Sequence, residues 1–113
     1  MANGGAQLKA QPYRIGEGGA LIACEPSEAT HVWLNMPGPI SNRLIPVILK
    51  GKRAGTGCWS WNGDTERPTL KPSIRSRDGH HTCHTWVNDG KAQFLADCTH
   101  DLAGQTLDLL DVE

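Results

Sequence analysis

Three observations predict an all-β fold, or a β-rich α+β fold with one short helical turn. Thirteen glycines and seven prolines, with aromatics at only 5%, suit short strands and frequent turns better than long helices. Residues 31–36 alternate, with Val32, Leu34 and Met36 on one side and His31, Trp33 and Asn35 on the other. That is the period of a strand with one buried face. Asn88-Asp89-Gly90 stands between two short apolar-bearing runs, and Asp-Gly is a preferred pair for a two-residue hairpin turn with positive φ. The expected architecture is a small antiparallel sheet or sandwich of short strands and hairpins carrying a metal site.

The elements follow in order. Residues 1–11 are rich in Gly and Ala and are expected to be disordered, which leaves residues 12–113 as one β-rich domain of a size that supports a single modest core. Residues 13–15 and 20–24 form a candidate hairpin around Gly16-Glu17-Gly18-Gly19. Residues 27–30 suit one helical turn capped by Ser27. Residues 44–50 are an apolar strand in which Pro46 favours an edge or a bulge. Gly55-Thr56-Gly57 leads into Cys58-Trp59-Ser60-Trp61, which turns at Asn62-Gly63-Asp64, where Gly63 supplies backbone freedom and Asn62 a local side-chain hydrogen bond. Pro68 and Pro72 keep residues 69–74 extended, read as a strap laid over the sheet whose hydroxyls satisfy loop backbone groups. Leu102-Ala103-Gly104 is a tight turn, and residues 105–110 are a last strand.

The hairpin tipped by Asp89-Gly90 carries the chemistry. Cys83-His84 and Cys98-Thr99-His100 bracket it. With Asp89 and Gly90 as the turn, Asn88 pairs with Lys91, Val87 with Ala92, Thr85 with Phe94 and Cys83 with Ala96. This register gives one coherent apolar face. Continued further, the ladder sets His81 opposite Cys98 and puts Cys83, Cys98, His81 and His100 on a single face. Cys83 and Cys98 are then diagonal neighbours about 7 Å apart, suited to a shared metal rather than to a disulfide. A bulge would exchange Cys83 for His84. A tetrahedral zinc site draws four Cys and His ligands: Cys83 or His84, Cys98, His100, and one more from Cys24 or His31. Cys58 reads as a small buried apolar residue, and His80 as a surface loop residue. Core thiols with exposed imidazoles are the plainer alternative for the whole set.

Charge and composition exclude some classes. The formal charge of −1 creates no field that demands nucleic acid or an anionic membrane. The charges are uneven: eight of the eleven basic residues fall in residues 43–53 and 67–77, while residues 97–113 hold five acids and no Lys or Arg. Solvated faces account for such runs. The start lacks a signal-peptide core, and the apolar run at residues 44–49 is broken by Pro46 and is far too short to cross a bilayer. A bacterial cytoplasm is the expected setting, where four cysteines are thiolate ligands or free thiols rather than disulfides.

A resemblance joins these motifs. Trp61-Asn62-Gly63-Asp64, Arg67-Pro68-Thr69, Pro72-Ser73-Ile74, Cys83-His84, Asp89-Gly90, Asp97-Cys98-Thr99-His100 and Leu102-Ala103-Gly104-Gln105-Thr106 together resemble a family of small uncharacterised phage and prophage proteins. Its members often carry the misleading label "ammonia monooxygenase". The resemblance spans residues 59–110. Relatives of this domain also resemble a metal-binding component found beside bacterial ubiquitin-like conjugation genes. In that family a Cys-Pro-x-Cys-type element followed by His implies further ligands. This chain keeps only Cys24, followed by Glu25-Pro26-Ser27 and then His31.

Three functions compete. The first is a zinc-stabilised, non-enzymatic β module acting through contacts with a protein partner. The second is a zinc hydrolase with Asp97, Glu66 or His84 as base, although no His-Glu-x-x-His helix and no deaminase motif is present. The third, least favoured, is nucleic-acid binding through Arg67, Lys71, Arg75 and Arg77 beside Trp59 and Trp61. The two tryptophans share a strand face, and packing in the core or on a sheet surface is the favoured reading over an aromatic binding platform. Asp97 is expected to face away from Cys98 as an outer partner of the site.

Overall fold

Among the described residues nine strands form, several of them, at residues 31–35 and 82–87 above all, with alternating buried and half-buried residues. The computed structural model describes residues 8–38, 40–49 and 58–112. They are β1 (Ala10–Ile15), β2 (Leu21–Ala23), β3 (His31–Asn35), β4 (Asn42–Leu49), β5 (Trp59–Trp61), β6 (Leu70–Arg77), β7 (Thr82–Asn88), β8 (Lys91–Phe94) and β9 (Thr106–Asp108). All join one sheet in the order β2-β1-β3-β4-β5-β6-β7-β8-β9. Each neighbouring pair is antiparallel except β4–β5. An isolated bridge from Asn35 to Leu110 and backbone bonds from Val112 to Leu8 and from Lys9 to Thr65 roll the two ends toward each other.

Inside the roll, β3 contributes Val32 and Leu34, β5 Trp61, β6 Leu70 and Ile74, and β7 Cys83 and Val87, all essentially inaccessible to solvent. The alternation of residues 31–36 is borne out: Val32, Leu34 and Met36 are buried and the residues between them are half-buried. Pro46 lies within β4, next to a residue whose N–H bonds toward β3. By alternation its own nitrogen faces the other side, where β5 pairs only from Val47 onward. The missing donor therefore breaks no ladder bond.

Several expectations need correction. Ala10 and Gln11 are strand residues, and Ala10 is fully buried, because they pair with Leu34 and Trp33 of β3 and Ala10 N–H also bonds to Thr65 O. Residues 1–7, Gly55-Thr56-Gly57 and Lys50 lie outside the described residues. Ser27 sits inside a single 3-10 turn, Pro26–Glu28, whose N-cap is Glu25 with no side-chain cap bond. Residues 70–77 are not a strap but the strand β6, paired on both sides.

The β7–β8 register is the expected one, from Asn88 opposite Lys91 to Thr85 opposite Phe94. Asp89 and Gly90 both have positive φ, 52° and 78°, as a type I′ turn requires. The ladder stops there. Leu95 still donates to the His84 carbonyl, but Cys98 N–H turns back to Leu95 O, so Cys98 does not stand opposite His81.

Gly90 is confined as well as left-handed. A Cβ there would lie 3.2 Å from the Glu66 carbonyl oxygen and 3.3 Å from Arg67 Cα. Gly90→Ala is expected to cost about 1–3 kcal/mol, read as a lower urea midpoint at unchanged slope.

Candidate active site and metal centre

Two sites share one strand because β7 alternates. Cys83, Thr85 and Val87 point inward, while Thr82, His84 and Trp86 are half-buried on the other face. The pairing of β6 with β7 is irregular. Leu70 stands opposite Val87 and Ile74 opposite Thr85, so Lys71, Pro72 and Ser73 all meet Trp86 alone. Such bulges re-aim side chains, and this one delivers Ser73 to His84. Trp59 Nε1 donates to the Ser73 carbonyl at 3.2 Å, which holds the serine's backbone.

On the outer face, Ser73 Oγ lies 2.8 Å from His84 Nε2. His84 Nδ1 lies 3.0 and 3.2 Å from the two carboxylate oxygens of Asp97. A carboxylate only accepts, so Nδ1 carries the ring proton and donates it. Nε2 is then left to accept the Ser73 hydroxyl. This is the ordering in which a histidine serves as base to a serine. The Asp97 side chain is 58% exposed, so its charge is well screened and its main effect is to fix the tautomer and the ring orientation.

On the inner face, the ligand atoms of Cys83, Cys98 and His100 lie within 4.8 Å of one another. They are close enough to hold a metal ion. Cys83 and Cys98 are buried and unpaired by any disulfide. Burial pushes the Cys83 thiol up, while the neighbouring Arg43 guanidinium pulls it down. Burial, and then the nearby His81 and Arg43, hold the His100 imidazole below its usual value, in the neutral form that ligates. His100 Nε2 and Arg43 Nη2 are buried with no hydrogen-bond partner among the described residues.

The other anticipated site residues are placed elsewhere. Cys24 follows β2, with Glu28, Arg14 and Glu25 around it. His31 opens β3, bonded to Thr30 Oγ1 and paired with Tyr13 and Pro46. Neither joins the three-ligand group: Cys24 follows the edge strand β2, and His31 opens β3, while the chain past the other end of β3, at Met36 and Gly38, is what approaches Thr85 and His100. His81 does not join it either: its ring meets His100 edge-on at 6.5 Å, and its Nδ1 is 3.6 Å from Asp78. His84 is turned to the outer face, where Asp97 meets it. Glu66 sits beside Gly90 at the hairpin tip, at the opposite end of β7 from Cys83. Cys58 is half-buried just before β5, and His80 is exposed. Trp61 is fully buried and offers no binding surface. Trp59 is half-buried, while Arg75 and Arg77 are exposed on β6. Sequence reasoning passed over Ser73 as a nucleophile. Its nearest signals were the outward parity of His84 and Pro72, a residue that paired strands carry at bulges, but how many residues the bulge inserts is not written in the residue pattern.

Fold and site together define a class: a small all-β domain whose sheet surface carries a Ser-His-Asp hydrogen-bond chain. The chain belongs to the family described as bacterial ubiquitination-like system serine protease (BubE), whose match covers residues 17–95, more than two thirds of its length. The link to ubiquitin-like conjugation genes implied by the sequence resemblance is consistent with this. The matched region contains Ser73 and His84 and ends before Asp97. No curated protein and no solved structure matches the chain. Among the described residues, no helix is long and apolar enough to cross a membrane.

Proposed function

We propose that this protein is a serine peptidase with Ser73 as nucleophile, His84 as general base and then acid, and Asp97 as the group that orients His84. The observation that carries this reading is the continuous Ser73–His84–Asp97 hydrogen-bond chain. The family's description supports it. Ser73 Oγ attacks the substrate carbonyl carbon as its proton passes to His84 Nε2. The tetrahedral adduct then collapses: the C–N bond breaks, and the amine leaves with the proton from His84. Water, deprotonated by His84, cleaves the acyl ester and restores Ser73. A shallow cavity of about 140 Å³ lined by Ser60, Asn62, Thr69 and Lys71 lies along the β5–β6 pair from Ser73. Its size suits one side chain of a peptide rather than a whole small-molecule ligand.

A fluorophosphonate probe tests the assignment. Wild-type protein is expected to take up one label at Ser73, identified by peptide mass spectrometry, and Ser73→Ala none, while Ser27→Ala, on the exposed 3-10 turn, labels normally. Labelling that survives Ser73→Ala would sink the reading.

A second reading concerns the inner cluster, whose thiol and imidazole donors suit zinc. Under it the domain is zinc-stabilised and works through contacts with protein partners of the ubiquitination-like system. The two readings are compatible. A zinc hydrolase is less favoured, because its candidate bases are turned away from the cluster: His84 and Asp97 meet on the outer face, and Glu66 sits beside Gly90 at the hairpin tip. Four cysteines without a disulfide support a reducing, cytoplasmic setting in a bacterial host.

A further inference from the structure

We infer that Cys83, Cys98 and His100 bind one thiophilic divalent ion of the zinc class, and that this ion holds the Ser73 centre in register from the opposite face of the sheet. The inference rests on the peptidase reading of Ser73, His84 and Asp97.

The argument begins with adjacency in the chain. His84 follows Cys83, and Asp97 precedes Cys98. Each half of the His84–Asp97 pair is therefore one residue from a buried thiol. The β8 ladder has ended at Phe94, so no strand pairing holds the turn that carries Asp97 against His84. The remaining ties between β7 and that turn are few: Leu95 N–H to His84 O, and Thr99 N–H to Thr82 O, with Thr99 Oγ1 accepting from Thr82 N–H at 2.7 Å. The His84 N–H also donates to Cys98 Sγ at 3.2 Å, an acceptor that strengthens when the sulfur is a thiolate.

Two further observations bear on this place, one pointing to a ligand on His100 and the other to thiolate charge at Cys83. His100 Nε2 is buried without a partner, and a buried polar atom left unpaired is costly. The Arg43 guanidinium, whose Nη2 is likewise unpartnered, stands beside Cys83, where a thiolate gives it a compensating charge. Binding converts Cys83 and Cys98 to thiolates and releases two protons to solvent. The Cys98 thiol contact to the His84 carbonyl, also 3.2 Å, then loses its proton, while the bond from the His84 N–H remains. Ligation through Nε2 places the His100 ring proton on Nδ1, so the long 3.3 Å contact from Leu102 N–H is given up. An ion bonded to both sulfurs and to His100 cross-links β7 to the turn directly beneath the His84–Asp97 contact. It touches no reacting atom, so its role is positioning.

The test uses the whole chain. Elemental analysis after loading with zinc is expected to give one equivalent per chain in wild type and in Ser73→Ala, and less than one tenth of that in Cys83→Ser. Chelation is expected to slow fluorophosphonate labelling of Ser73 by at least tenfold, since a displacement of about 1 Å costs on the order of 100-fold. Zinc is expected to restore it. If the metal-free protein unfolds, the comparison passes to zinc- and cadmium-loaded protein, both folded by circular dichroism. The larger ion shifts the turn, and a several-fold change in labelling rate is expected. No stoichiometric zinc, or equal labelling rates with and without metal or with either ion, overturns the inference and leaves the Ser73 assignment standing. Absence of label in zinc-loaded wild type overturns both.

Discussion

Asp97→Asn is expected to slow acylation of Ser73 by about 10³–10⁴-fold with the fold unchanged. Asp97 offers His84 two carboxylate oxygens at 3.0 and 3.2 Å. An asparagine in their place can turn its NH₂ toward Nδ1. The ring proton then moves to Nε2, which presents Ser73 with a donor where an acceptor is needed. Loss of charge is the smaller effect, because the carboxylate is 58% exposed and water screens it. Asp97→Ala, which leaves Nδ1 to water, is accordingly expected to lose less than Asp97→Asn. Intact-mass kinetics of fluorophosphonate labelling measure both, and equal rates for wild type and Asp97→Asn remove Asp97 from the mechanism.

Trp61→Ala is expected to cost about 3–5 kcal/mol, a large share of the roughly 5–15 kcal/mol that holds a domain of this kind folded. Trp61 is fully buried in β5, the short strand through which β4 and β6 are joined. Emptying the position leaves a cavity at the hinge of the rolled sheet. Trp61→Phe separates packing from polarity. The indole N–H has no hydrogen-bond partner among the described residues, so removing it relieves a penalty of about 1–3 kcal/mol that offsets the lost volume. A net change within about 1.5 kcal/mol is expected. Urea unfolding reads both variants, and a Phe variant as unstable as the Ala variant contradicts the account of the orphaned N–H.

Local chemistry made much of this legible in the residues. The positive-φ turn at Asp89-Gly90 set the register from Asn88–Lys91 to Thr85–Phe94, and Cys83, Cys98 and His100 came together as their types suggested. The route differed. A turn at residues 95–98, not a prolonged ladder, brings Cys98 to Cys83. Ser73 was hidden for a related reason. Two prolines argue correctly for an extended chain at residues 69–74, but the number of residues standing against Trp86 depends on the register between β6 and β7, a long-range quantity that no local propensity carries. Distance defeated the expectation for Cys24 and His31 too. They were matched to the cluster by ligand type, but His31 opens β3, whereas the chain past the other end of that strand, at Met36 and Gly38, is what approaches Thr85 and His100, and Cys24 follows β2 at the edge of the sheet.

The placement of neighbouring residues on opposite faces has a consequence for how such a chain can vary over time. Because Cys83 faces in and His84 out, inserting or deleting one residue within residues 82–88 would reverse both assignments in a single event. The hydroxyl chain and the thiol pair would be lost together. Substitutions can erode the two sites one at a time, but length changes cannot. Relatives that retain both should therefore keep the thirteen-residue separation of His84 and Asp97 fixed, and accommodate insertions in connections such as the one between β4 and β5.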